Sequence, residues 1–241
     1  MARLRISIIR RPTASVIKSI DGQTLRLPPI PFFYMSLASP EKLPAIILPE
    51  CTLLPQCVLP LHIFEERYRS MITKALNTDR LFAVACKRPD ASSLIETENV
   101  YPLGCAGFIR ACVTNPDGTS NLMIQGTQRI RFKQWDEQSN YPLATVEWIA
   151  NDESCKSAET EITRQLLDII DEMISDDDQA AIAMLKHLRS LDDGGTVADL
   201  VAYHFLGGDH QLLRKVLGAF HCCDRLALVF ETLTSVNNGL K

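Results

Sequence analysis

The sequence lacks the short signatures of catalysis. None of its nine lysines follows a glycine, so no Gly-Lys-Ser/Thr loop is present to cradle phosphates. No Gly-x-Ser-x-Gly elbow and no His-Glu-x-x-His helix occurs. The histidines are His62, His187, His204, His210 and His221. His62 lies near Cys57 and His221 adjoins Cys222, but neither pairing has a third group to orient a base. Glu65 and Glu66 are adjacent on a predicted helix and point apart, so they do not form an acid/base pair. The expectation is a protein that is not an enzyme and needs no cofactor.

Long apolar runs are also missing. None approaches the roughly 18–20 residues of a membrane span, and the first 34 residues lack a secretory apolar region with a cleavage site. No membrane association and a cytoplasmic location are expected. The eight cysteines include no Cys-x-x-Cys, which excludes zinc-ribbon and thioredoxin signatures. Without a secretion signal they read as reduced thiols. Cys51 and Cys57 flank a Leu-Leu-Pro segment, but a metal site wants more ligands nearby, and none is assigned.

Excess charge of either sign is absent. Lys+Arg is 25 and Asp+Glu is 29, a net charge of -4, so a strongly basic nucleic-acid binder is disfavoured. The balance hides three regimes. Residues 1–34 carry +5, residues 35–150 carry -1 and residues 151–241 carry -8. The leader over 1–40 is read as a basic, flexible stretch. It is acid-poor and Arg-rich, which suits a transit peptide; the preferred reading is a tail, or an extension upstream of a start at Met35.

The rest of the 241 residues suffices for one large or two small domains. Ala45-Ile46-Ile47-Leu48 reads as a buried strand, followed by a proline-punctuated extended segment to Pro60. A helix is expected from about Ile63 to Leu76, with Phe64, Tyr68, Met71, Ile72, Ala75 and Leu76 on one face. Strands are expected over 81–86, 104–113, 121–125, 128–135 and 141–149, with a turn at Asn115-Pro116-Asp117-Gly118. In the fourth of these, Ile130 and Phe132 alternate with Arg129, Arg131 and Lys133, as in a half-buried strand. One early helix among these strands makes a compact barrel-like domain over 41–150.

After a polar linker at 151–154 the pattern turns helical over 155–236. Expected inward residues include Ile182, Leu185, Leu188 and Leu191 in the second helix. Asp176-Asp177-Asp178 reads as a cap of that helix rather than a calcium site. Thr196 with Asp199 reads as a capping box for the third helix, and Asp209 and Asp224 as starts of two more. The fold class is therefore α+β, a β-barrel subdomain with one early helix and then an all-α bundle.

Pro60-Leu61-His62-Ile63-Phe64-Glu65-Glu66-Arg67-Tyr68-Arg69 resembles the substrate-binding N-terminal domain of ATP-dependent Lon (La) proteases. Leu43-Pro44 to Leu48-Pro49, Asp79 to Val84, Gly104-Cys105-Ala106-Gly107, Gly126 to Phe132 and Tyr141 to Glu147 match further family motifs in order. The resemblance implies a PUA-like β-barrel followed by a helical bundle. It also implies recognition of unfolded or tagged polypeptide segments, with an ATP-dependent protease as a candidate partner and a role as adaptor or regulator in protein quality control. A chain of this length holds no ATPase and no Ser-Lys protease module, so it resembles the stand-alone members of the family. Cereblon-type relatives carry paired Cys-x-x-Cys motifs, which this chain lacks.

The candidate binding residues are Pro60, His62, Phe64, Glu65, Arg67 and Tyr68. Packing is the preferred reading of this motif over ligand contact, because a motif that identifies a fold often identifies its packing. Phe64 and Tyr68, one helical turn apart, are expected to plug the barrel, while Glu65 and Arg67 could tie the helix to nearby loops. A second function class is an RNA-binding module, suggested by the basic-aromatic strand 129–133, although the acidic bundle would repel phosphate and makes nucleic acid an unfavoured partner. A third, a hydrolase, has no residue cluster behind it.

Overall fold

The computed structural model describes residues 17–18, 24–25, 39–89, 93, 95–136, 138–150 and 156–240. The linker at 151–154 lies outside them. Of the leader over 1–40, only Ser39, Pro40 and two short strands are described: β1 (Ile17–Lys18) and β2 (Thr24–Leu25), which pair antiparallel. The chain divides between Ile149 and Ala150 into two compact units.

The β unit contains β3 (Lys42–Pro49), β4 (Val58–Ile63), α1 (Glu66–Leu76), β5 (Leu81–Lys87), β6 (Val100–Thr114), β7 (Ser120–Trp135) and β8 (Leu143–Trp148). A 3-10 turn at Glu96–Asn99 precedes β6. The six strands form one mixed sheet in the order β4-β7-β6-β5-β3-β8, and β8 also pairs with β7. The ladder from β7 through β6, β5, β3 and β8 therefore returns to β7, with β4 added outside that ring. The length of β7 makes this possible. Its residues 120–125 pair with β4, and its residues 130–135 pair with β8. β3 and β5 run parallel, which requires a crossover, and β4 with α1 supplies it.

Alternate residues of the ring strands converge on one core, which includes Leu43, Ala45, Ile47, Ala83, Ala85, Ala106, Ile130, Phe132, Ala144 and Val146. Alanine recurs there because a ring of few strands has a narrow interior. The Asn115–Gly118 turn sets the β6–β7 register. Gly118 has φ +82 and its N–H donates to Asn115 O at 2.9 Å, while Asn115 N donates to Thr119 O at 2.8 Å.

Two sequence expectations fail in the strands of this unit. Segments 121–125 and 128–135 are one continuous strand, because Thr127 is absorbed as a bulge between Gly126 and Gln128. Arg129, expected to face water, is 1% exposed. Alternation identifies a face that must be covered and is silent on whether the other face is covered too.

The helical unit contains α2 (Lys156–Met173), α3 (Gln179–Leu188), α4 (Gly194–Phe205), α5 (His210–Gly218) and α6 (Cys222–Leu240). Asp178 caps α3 by accepting from Ala181 N, and Asp209 caps α5 by accepting from Gln211 N and Leu212 N. The buried stripe of α3 is Ala181, Met184, Leu185 and Leu188, which leaves Ile182 exposed, contrary to expectation. The cap of α4 is Asp193, accepting from Gly195 N and Thr196 N, not the Thr196/Asp199 box. Asp199 lies a turn inside the helix and is buried. Among the described residues, no helix is long and apolar enough to cross a membrane, and no disulfide joins the cysteines.

Candidate functional site

The Pro60–Arg69 motif straddles a change of secondary structure, and that divides its side chains into two groups. The strand β4 runs to Ile63, and α1 starts only at Glu66, with Glu65 extended at the N-cap (φ -68, ψ 132). Side chains up to Phe64 therefore follow a period of two, and those after it a period of 3.6. Pro60 and His62 are exposed, whereas Leu59 and Ile63 are buried. Phe64 continues the exposed series at 64% exposure. It does not plug the core with Tyr68, as helical spacing suggested, because the helix begins two residues beyond it. The Phe64 ring instead stacks beside His62, with centroids 6.2 Å apart.

Glu65, Arg67 and Tyr68 form the second group. Tyr68 is buried, and its phenol oxygen accepts from Ile47 N at 3.2 Å, which fastens α1 to β3. Burial pushes the Tyr68 phenol above its ordinary range. The Arg67 guanidinium lies 4.6 Å from the Tyr68 ring centroid. It donates to both carboxylate oxygens of Glu96, one at 3.2 Å, and through Nε to Glu65 at 3.1 Å. Those contacts, the Glu96 hydrogen bond foremost, raise its pKa. Arg67 thus joins the start of α1 to the turn before β6.

Strand register places further residues beside the exposed group. His62 is opposite Asn121, and Asn121 is opposite Val113 across the next ladder. Pro60 is opposite Met123, and Met123 is opposite Ala111. His62 Nδ1 and Asn121 Oδ1 are 2.9 Å apart. Val113 is 51% exposed, and Ala111 and Met123 are half-buried. Pro60, His62, Phe64, Met123, Ala111 and Val113 therefore make one solvent-facing, largely apolar surface across β4, β7 and β6. No described strand pairs with the outer edge of β4. Pro60 suits that position, since it has no N–H to give to a ladder. The turn at 115–118 makes the Val113–Asn121 pairing readable from sequence. The pairing of β4 with β7 is not, because these strands are far apart in the chain.

One group in the helical unit has metal-like composition. Ligand atoms of Glu159, Asp193 and Cys222 lie within 4.8 Å of one another. Each is already engaged as a helix joint. Glu159 accepts from Gly194 N at 2.6 Å, and Asp193 caps α4. Burial, then the Glu159 charge, pushes the Cys222 thiol from 9.0 up to about 12, so it keeps its proton at neutral pH. The folded chain holds a proton there that the unfolded chain releases, so this contribution to stability is lost as pH rises from 9.0 towards about 12. Cys222→Ala is expected to flatten the fall of Tm in that alkaline window. An unchanged slope of Tm against pH would refute the raised thiol pKa.

A family model for the ATP-dependent protease La (LON) substrate-binding domain matches residues 42–235. A Lon protease of Dictyoglomus thermophilum is 28% identical over 166 residues, covering 68% of this chain and 21% of that protein. A Lon protease of Elusimicrobium minutum is 26% identical over 201 residues, 81% of this chain and 24% of that protein. The chain thus spans about a fifth to a quarter of the length of these relatives. The N-terminal domain of a Mycobacterium avium complex Lon protease superposes with a TM-score of 0.61 at 15% identity, covering 80% of this chain and 98% of that one. A Lon N-terminal domain protein from Xanthomonas campestris gives 0.55 at 18% identity, covering 79% and 97%. These likenesses match the α+β fold expected from sequence.

Proposed function

The chain belongs to the Lon substrate-binding domain family, and from that premise we propose that it is a non-catalytic recognition module for unfolded or tagged polypeptide segments. In this reading it works in the cytoplasm as an adaptor or regulator of an ATP-dependent protease. The observation that supports it is the exposed apolar surface of Pro60, His62, Phe64 and Val113 beside the outer edge of β4. An open strand edge offers backbone hydrogen bonds to any extended chain, and the apolar face beside it removes side chains from water. Neither contact reads a particular sequence, which suits a receptor for unfolded segments. Glu65, Arg67 and Tyr68 hold α1 in place and support the surface without forming it.

The RNA reading has less support. Lys133 pairs with Glu147 at 2.5 Å, Arg131 lies 3.5 Å from the same carboxylate, and Arg129 is buried. The basic strand that suggested phosphate binding is thus engaged within the fold.

Phe64→Ser with Val113→Ser is expected to weaken binding of a fluorescein-labelled apolar peptide roughly tenfold, read by polarisation, with Tm unchanged. Wild-type affinity in the double variant would move the site elsewhere. Failure of the wild-type protein to bind any denatured model protein would end the proposal.

A further inference from the structure

The surface formed by β4, β7 and β6 is unusually poor in charge. Across residues 58–64 and 109–125 the only charged side chains are Arg110 and Asp117. Asp117 sits in the hairpin turn, where its carboxylate accepts from Thr119 N at 2.9 Å and from Thr119 Oγ1 at 2.7 Å. Those bonds hold it below its ordinary pKa, so it remains an anion tied to its own turn. Arg110 is different. Its side chain makes no hydrogen bond or ion pair with any described residue, yet the residue is half-buried.

Arg110 owes its position to a bulge. Ile109 pairs with Ile124 and Ala111 pairs with Met123, so Arg110 is an extra residue with no partner on β7. Bulges of this kind re-aim a side chain beside a site. Its neighbour Ala111 belongs to the row Pro60–Met123–Ala111 of the proposed peptide-binding surface. Burial lowers the Arg110 pKa, and among the described residues no anion offsets that desolvation. A half-buried guanidinium with free donors is suited to a bidentate carboxylate.

We propose that Arg110 is a specificity residue of the polypeptide site, selecting extended apolar segments that carry an acidic side chain, Asp or Glu, by pairing with its carboxylate. This rests on the reading of the surface as a polypeptide site and adds a sign preference to it. Charge complementarity favours this occupant over a second copy of the chain, because the matching surface of a second copy would bring another Arg110 and no free acid.

The test compares three labelled peptides on the full chain: an apolar peptide with one central Glu, the same peptide with Gln in its place, and the Glu peptide with an amidated C-terminus. The wild-type protein is expected to bind the Glu peptide roughly fivefold more tightly than the Gln peptide, with amidation making no difference. Arg110→Gln should abolish that preference and leave affinity for the Gln peptide and Tm unchanged. Raising salt should narrow the preference in the wild-type protein only. Equal binding of the Glu and Gln peptides by the wild-type protein overturns the role of Arg110 and leaves the polypeptide site standing. A preference that survives Arg110→Gln also overturns it. Sensitivity to amidation in place of the Glu-to-Gln change overturns it in favour of a chain-terminal carboxylate. Binding of none of the peptides overturns both this inference and the site on which it rests.

Discussion

Arg225→Met is expected to cost the helical unit about 3–5 kcal/mol, read as a shift in its urea midpoint. Arg225 is a long cation on α6 with a side chain only 2% exposed, and the Asp199 side chain on α4 is also 2% exposed. Their closest charged atoms, Arg225 Nε and Asp199 Oδ1, are 3.7 Å apart. Arg225 Nη1 donates to Ala219 O at 2.9 Å and to Phe220 O at 3.1 Å, at the end of α5. The guanidinium therefore ties three helices by charge and by hydrogen bonds to carbonyls at the end of α5. Methionine fills similar volume but leaves Asp199 facing no guanidinium and two carbonyls without that donor. Adding Asp199→Leu should recover much of the loss, because the main penalty comes from a buried carboxylate that no longer faces a guanidinium. A loss below about 1 kcal/mol would mean that the pair behaves like an exposed one.

Gly126→Ala is expected to destabilise the β unit by about 3 kcal/mol. A Cβ at Gly126 would stand 2.1 Å from Leu54 O, 2.9 Å from Leu54 C and 3.1 Å from Cys105 Sγ. The first two are backbone atoms and cannot rotate away. Segment 54–57 is laid on β7 there, with Gln56 N donating to Gly126 O at 2.8 Å and Gly126 N donating to Cys57 O at 2.9 Å. A methyl group would lift that segment, stretch both hydrogen bonds and loosen the entry to β4. Gly107→Ala is the control. Its Cβ would meet Leu53 Cδ2 at 3.3 Å and Ile124 Cδ1 at 3.4 Å, which are ends of flexible side chains. It should cost about 1 kcal/mol or less. Equal midpoints for the two variants in thermal melts would contradict the close backbone approach at Gly126.

Local chemistry was legible wherever it acted within a few residues. Asp178 and Asp209 cap helices because their carboxylates reach N–H groups two or three residues on, a relation visible in the sequence. The Asn-Pro-Asp-Gly turn appeared where expected because its conformational preferences are local. Phe64 was misplaced at a boundary. A residue between a strand and a helix can be fitted to either period, and only the start of α1 at Glu66 decides between them. The Thr196/Asp199 pairing failed because Asp193, three residues before Thr196, already caps α4. That freed Asp199 to enter the core beside Arg225.

The candidate site shows the same division. Pro60, His62 and Phe64 were singled out from a contiguous motif. Val113, Ala111, Met123 and Arg110 join them only through ladders that link β4 to β7 and β7 to β6. The bulge that isolates Arg110 is a mismatch between two strands and has no signature in either strand alone.

By itself, the sequence determined the α+β class, the order of the main elements, the caps of α3 and α5 and the absence of known catalytic motifs. These follow from periodicity and short-range hydrogen bonding, which operate within a few residues. The tertiary structure alone decided that β7 serves three partners, that both of its faces are covered at Arg129, and that Phe64 faces water. It also set Arg110, the extra residue in the β6–β7 ladder, next to Ala111 of the exposed row. Each of these depends on contacts between segments distant in the chain, where pairing register and burial, rather than local preference, fix what a side chain meets.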